Sequence, residues 1–197
     1  MLVTNIQCVH TDTPSTSRER TRQRLRHAGL ELFERKGFES TTVAEVAAAA
    51  GVSEMTFFRH FATKPGLLFD DPYDDVIADA VAAQPQDLDP LRRAAAGLRS
   101  AWTMVPEPED GVVRRRVRVV ASTPSLRGEM VRANAETERL VAEQLIVDGV
   151  EPLRAKVAAA ALLAAVTAAL FEWSLGDDVG LGDAIEEALG TLEGTHG

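Results

Sequence analysis

The residues best able to do chemistry gather between positions 54 and 64, in the run E-M-T-F-F-R-H-F-A-T-K. If that run is helical, Glu54, Met55, Thr56 and Arg59 lie near its N-terminal end, on the side that can face a duplex. A guanidinium such as that of Arg59 can pair bidentately with a guanine edge, and Met55 or the Thr56 methyl can meet a thymine methyl. Glu54 repels phosphate, so it serves either as a cytosine acceptor or as an aid to the helix start, and the helix dipole favours the second. This is the chemistry of reading bases. For bond-breaking chemistry the chain offers little: no Gly-rich phosphate loop, no serine in a nucleophile elbow and one tyrosine. No catalytic residue is expected.

Two elements must hold those side chains in place. Val43, Val46, Ala47 and Ala50 recur at i, i+3, i+4 and i+7, the apolar face of a helix. Thr42 with Glu45 has the spacing of a capping box, and Gly51 suits the turn that ends the helix. Ser53 then caps a second short helix, Glu54 to Phe61, in which Phe57 and Phe61 at i, i+4 bury together. Two short helices joined by a Gly-containing turn predict a helix-turn-helix whose second helix enters a major groove.

The run G-V-S-E-M-T-F-F-R-H-F-A-T-K, with T-T-V upstream, resembles the DNA-binding domain of the TetR family of transcriptional regulators. Thr56, Phe57, Phe58, Arg59, His60, Phe61 and Lys64 fill the family positions in register. Phe58 stands where the family usually has Tyr, and Met55 where Gly or Pro is common. The resemblance implies that Thr42, His60 and Lys64 contact phosphate, which positions the domain without specifying sequence. R-V-V-A-S-T-P-S-L-R (118–127) and A-A-L-L-A-A-V-T-A-A-L-F-E-W (160–173) are similar to a subgroup that includes the mycofactocin-associated regulator, where Phe58 is at home. That subgroup is described as having an acyl-CoA-like ligand-binding domain.

The charge is divided to match. Residues 1–69 hold nine Lys and Arg against seven Asp and Glu, whereas 70–197 hold twelve against twenty-three. A basic head that meets phosphate and an acidic body fit this split. The single cysteine, Cys8, and four scattered histidines exclude a disulfide framework and predict no metal site. Met1–Ser17 has no secretory pattern, and the apolar run 157–171 is shorter than the ~20 residues of a membrane span, so a cytoplasmic protein without a membrane partner is expected.

In chain order, 1–17 reads as a disordered arm. Arg18–Lys36 is a helix with Leu25, Ala28, Leu32 and Phe33 as its buried stripe and Gly37 as its stop. Arg18, Arg20, Arg22, Arg24 and Arg26 crowd its start, where they could lie along the DNA backbone. Thr63 and Pro65 open another helix, with a break expected near Pro72. Its acidic cluster (Asp70, Asp71, Asp74 and Asp75) lacks the spacing of a calcium loop. Asp89-Pro90 opens a helix to about Val105, Val113, Val117 and Val120 mark the next, and Thr123-Pro124 caps a long one to about Asp148. Pro152–Leu175 is Ala-rich, and Asp183–Leu192 is a last amphipathic helix. Arg114 and Arg118, at i, i+4, form either an anion site or a solvated face balanced by Glu107, Glu109 and Asp110, with the second favoured.

The fold class expected is therefore all-α: residues 18–64 as a three-helix helix-turn-helix domain, and 65–197 as a helical ligand-binding and dimerisation domain. The DNA-binding set is Thr42, Glu54, Met55, Thr56, Phe58, Arg59, His60 and Lys64. Trp102, Val113, Val117, Arg118, Val120, Leu126 and Met130 form the expected pocket for a small-molecule effector, which the subgroup resemblance makes acyl-CoA-like. Leu162, Val166, Leu170 and Trp173, with Leu181, Ile185, Leu189 and Leu192, form the expected homodimer interface. The function implied is a repressor released from a double-stranded DNA operator by that effector, with no cofactor. The competing reading is a DNA-bound adaptor whose C-terminal domain docks a protein and has no effector pocket.

Overall fold

A computed structural model describes residues 17–69, 74–104, 111–176 and 179–194. Among them are ten helices and no strand: α1 Ser17–Lys36, α2 Val43–Ala49, α3 Glu54–His60, α4 Gly66–Phe69, α5 Asp74–Ala82, α6 Pro90–Met104, α7 Val112–Ser122, α8 Pro124–Val147, α9 Pro152–Leu175 and α10 Leu181–Glu193. Of the arm expected at 1–17, Ser17 begins α1 instead, while residues 1–16, the break near Pro72, and Glu107, Glu109 and Asp110 lie outside the described residues. The chain divides into two compact units between Ala62 and Thr63.

In the first unit α1 buries Leu25, Ala28, Leu32 and Phe33, the face its spacing predicts. Gly37 ends it at φ 88°, a conformation that glycine adopts without Cβ strain. Phe38 then folds back onto Phe33, ring centroids 5.0 Å apart. Val46, Ala47, Phe57 and Phe61 complete this core and are all nearly inaccessible. Thr41, which sequence reasoning passed over, is buried and donates to the Gly37 carbonyl at 2.8 Å, tying the end of α1 to the start of α2.

In the second unit α9 is the central helix and packs against α6, α7, α8 and α10. Leu162, Leu145, Leu189, Ile185, Val141 and Leu98 form the core around it. At 24 residues α9 has the length and apolar composition of a membrane span, but its buried face belongs to this helical core. Several helix starts differ from expectation. Helix α4 begins at Gly66, whose N–H is taken by the Thr63 hydroxyl, so Thr63 acts as a cap and Pro65 precedes the helix. Thr123 makes no side-chain cap to α8, and Pro124 at the first turn marks that start by its fixed φ alone. Helix α10 begins at Leu181, two residues before Asp183.

Candidate nucleic-acid interface

Both caps of the helix-turn-helix are formed. The Glu45 N–H donates to the Thr42 hydroxyl at 3.2 Å and the Thr42 N–H donates to Glu45 Oε2 at 2.9 Å. Lys36 Nζ meets Glu45 Oε1 at 2.5 Å, and with the Thr42 bonds it holds that carboxyl down at about 2. At the far end of α2 the chain reverses through Gly51 at φ 66°, with the Val52 N–H returning to the Ala47 carbonyl at 2.9 Å. The Ser53 hydroxyl accepts from the Thr56 N–H at 3.2 Å and starts α3.

Helix α3 has two faces. Phe57 is fully buried and pairs with Phe61 at a centroid distance of 5.9 Å, anchoring the helix to its own unit. Glu54, Met55, Phe58 and Arg59 are exposed on the opposite side, at the i, i+1, i+4, i+5 spacing of one helical face. Met55 is 76% exposed and Phe58 53%, although both are apolar. Arg59 Nη2 donates to the Thr56 hydroxyl at 2.9 Å, and Thr56 in turn lies 3.1 Å from the Ser53 hydroxyl. The guanidinium is thereby held over the outward face. Thr42 is exposed at the start of α2, and Lys64 falls past the division of the chain, in the turn that opens α4.

His60 is half-buried, and its Nδ1 is enclosed without a hydrogen-bond partner. Burial, reinforced by Arg18, Arg22 and Arg59, pushes this imidazole below its ordinary value against a weaker pull from Glu19. Arg22 and Arg26 turn inward: their guanidiniums lie 4.8 and 5.7 Å from the centre of the Phe61 ring. Arg22 also donates to the His60 carbonyl at 3.2 Å, so it satisfies the last turn of α3. Their i, i+4 spacing above an aromatic was the only available signal for this brace. Arg18, Arg20 and Arg24 remain on the outer side of α1.

In the second unit the expected pocket residues are distributed between core and surface. Val117, Val120 and Leu126 are buried, Trp102, Val113 and Met130 half-buried, and the Arg118 side chain reaches a carbonyl. Arg118 Nε donates to the Ser174 carbonyl at 2.6 Å. Arg114 stacks 4.4 Å from the Trp173 ring centre and donates to the carbonyls of Trp173, Gly176 and Val179. The acids expected to balance this pair lie outside the described residues, and the bonds seen here run to backbone. The two cations cap the C-terminal end of α9, where unpaired carbonyls and the helix dipole attract positive charge.

The expected dimer residues divide between core and surface. Leu162, Trp173, Leu181, Ile185 and Leu189 lie in the domain's own core, with Val166 and Leu170 packed against it. Beside that core, α9 and α10 form a groove of about 740 Å³ lined by Trp173 and by Ala165, Ala168, Ala169, Ala184 and Ala188. Leu192 reaches this groove, together with Glu172, Asp183 and Glu187.

A short helix braced on its inner face by Phe57 and Phe61, with Met55, Phe58 and Arg59 on its outer face, in a chain whose remainder is a helical bundle, defines a helix-turn-helix DNA-binding protein with a second, all-helical domain. The chain belongs to the TetR family of transcriptional regulators. The family model for bacterial regulatory proteins of the tetR family matches residues 25–70, and the one for the MftR C-terminal domain matches 88–197. The chain is 32% identical to the HTH-type transcriptional regulator TcmR of Streptomyces glaucescens over 92% of each chain. It is 27% identical to MftR of Mycobacterium tuberculosis, named for mycofactocin biosynthesis regulation, over 68% of each. In fold it is similar to NalD of Pseudomonas aeruginosa, the secondary repressor of the MexAB-OprM efflux pump: TM-score 0.58 and 22% identity, covering 89% of this chain and 94% of that one. Regulators of this family bind operator DNA and act as dimers.

Proposed function

We propose that this chain is a cytoplasmic, homodimeric repressor that leaves its operator when a small molecule binds the domain beginning near Thr63. The observation that carries the DNA-reading part is the outer face of α3, where Arg59 is held by Thr56 beside the exposed Met55 and Phe58. Arg59 would read a guanine, Met55 and Phe58 would lie against thymine methyls, and Thr42, His60 and Lys64 would contact phosphate. Glu54 supports the helix start. A dimer reading two half-sites requires its recognition helices about a DNA turn apart, ~34 Å or a multiple. An effector acts by favouring a state that breaks this match.

The effector proposed is acyl-CoA-like. The reading is supported by the match of 88–197 to the MftR C-terminal domain and by the apolar character of Trp102, Val113, Val117, Val120, Leu126 and Met130. The tight burial of Val117, Val120 and Leu126 favours the second reading, an adaptor that docks a protein and has no pocket. Selection of fragmented genomic DNA on the purified protein identifies the operator; absence of any enriched, near-palindromic site would end the repressor reading. Long-chain acyl-CoA titrated into the resulting complex, followed by DNA release and by Trp102 fluorescence in a Trp173→Phe background, separates the two effector readings. Intact DNA binding and unchanged fluorescence at saturation favour the adaptor.

A further inference from the structure

Arg93 on α6 is the bulkiest fully enclosed side chain among the described residues, 1% exposed, and the next largest in its domain are leucines and valines. A guanidinium taken out of water must be paired, and an apolar side chain of similar volume would pack there as well. Packing alone therefore does not explain an arginine at this position. Its Nη2 donates to Asp148 Oδ2 at 2.6 Å and to the carbonyl of Ala82, the last residue of α5, at 3.4 Å. Asp148 also accepts from the amides of Gln144 at 2.8 Å and Gln86 at 3.1 Å. The Gln144 amide and the Arg93 guanidinium hold the Asp148 carboxyl below the usual carboxylate range, so it is ionised at neutral pH. Asp148 is the C-cap of α8, where the helix dipole disfavours an acid, and its cross-helix partners account for its presence.

A second observation places the same helix. Gly97, one turn further along α6, has no room for a side chain: a Cβ there would lie 2.4 Å from Val81 Cγ2 and 2.7 Å from Val81 Cα. The backbones of α5 and α6 thus meet directly beside the Arg93 bond. Arg93 Nε and Nη1 have no hydrogen-bond partner, so the tie runs through one nitrogen and leaves donors that can re-pair after a shift. A tie that uses one guanidinium nitrogen and leaves two buried donors unsatisfied holds one arrangement of these helices without filling its bonding capacity.

We propose that Arg93 and Asp148 form a latch that sets the position of the C-terminal end of α5 on α6 and α8, and so are positioning residues for control of DNA binding. This rests on the regulator reading above. Helices α4 and α5 follow the helix-turn-helix in chain order, which makes α5 the element of the effector domain through which the latch would act on DNA binding. In this role the buried pair confers a defined arrangement rather than stability.

The test compares the native protein with R93M/D148L, which replaces both charges by apolar groups, and with Arg93→Met alone, which leaves Asp148 without its cation. Amide hydrogen exchange and the thermal midpoint are measured for each, together with affinity for the selected operator. In the double variant the latch predicts exchange at least tenfold faster across 76–82, protection in α9 and the thermal midpoint unchanged, and operator affinity lowered about tenfold. Unchanged exchange in α5 overturns the proposal. So does a uniform loss of protection across α5, α6, α8 and α9, because the pair is then a core staple. If Arg93→Met fails to fold, the double variant still decides. If the native protein selects no operator, the regulator reading fails by itself, while exchange in α5 continues to judge the latch.

Discussion

Arg59 and His60 are neighbours in sequence with opposite electrostatic situations. Arg59 is exposed and pre-oriented through Thr56 and Ser53, so its rotamer entropy is partly removed before DNA arrives. Arg59→Ala is expected to cost ~1–3 kcal/mol on the operator and relax one base position. Lys64→Ala should weaken operator and random DNA alike and lower the salt slope by about one. Binding isotherms on both DNAs at several salt concentrations check this, and equal losses on random DNA would remove the distinction. His60 is held neutral by burial and by Arg18, Arg22 and Arg59. A phosphate beside it favours the charged form, so binding takes up a proton. Operator affinity should then rise as pH falls from above the bound-state value towards the free-state value, which lies below 6.5, and level off beneath it. Stability runs the other way: a His lowered by folding contributes fully above its unfolded value and loses that contribution as pH falls. His60→Gln should flatten the binding profile over that rise; a profile that keeps its slope would place the proton elsewhere.

At the scale of elements, local signals were the legible ones. The Thr42–Glu45 box, the Ser53 cap and the Gly37 and Gly51 stops depend on residues at most five apart, and each forms as its spacing predicts. What the pattern could not tell was which neighbour covers an apolar face. The period of Leu162, Trp173, Ile185 and Leu189 marks burial, but the same period serves a core and an interface equally, and here the core took it. The carbonyl bonds of Arg114 and Arg118 were hidden for a related reason: those acceptors are backbone groups some sixty residues away, and a sequence displays only side chains. The close approach at Gly97 gives a prediction whose sign opposes helix propensity. Gly→Ala inside a helix ordinarily stabilises by ~1 kcal/mol. Gly97→Ala should instead destabilise by ~1–3 kcal/mol, since the new methyl meets Val81 backbone as well as its side chain. Val81→Ala should not rescue it, because the backbone nitrogen and α-carbon of residue 81, at 2.8 and 2.7 Å, still obstruct the methyl. Denaturant midpoints of the two single variants and the double decide this; a Gly97→Ala variant as stable as the native protein would mean that α5 and α6 can separate at little cost.

At the scale of the whole molecule, the α9–α10 groove is where a second copy is expected. Its alanine lining lets helices approach closely, and Leu153, Val157 and Leu175, 59–68% exposed, extend the apolar surface along the whole of α9. A helix of that length runs ~36 Å, enough to contribute to the ~1,200–2,000 Å² that a stable interface buries. Two-fold symmetry places every substitution in the interface twice. Ala168→Glu therefore adds two long side chains to an interface that already holds Glu172, Asp183 and Glu187 from each copy. It should yield a monomer with native helical content and a nearly native thermal midpoint, and with operator affinity reduced towards that of a single half-site. Leu162→Ala is the counter-experiment: Leu162 has no accessible surface within one chain, so its loss should cost ~2–5 kcal/mol of fold stability and leave the association constant of the folded protein unchanged. Sedimentation across a dilution series, alongside thermal melts, separates the two effects. A dimeric Ala168→Glu protein, or a Leu162→Ala protein that stays fully stable and dissociates, would transfer the interface from the groove back to the leucine stripe.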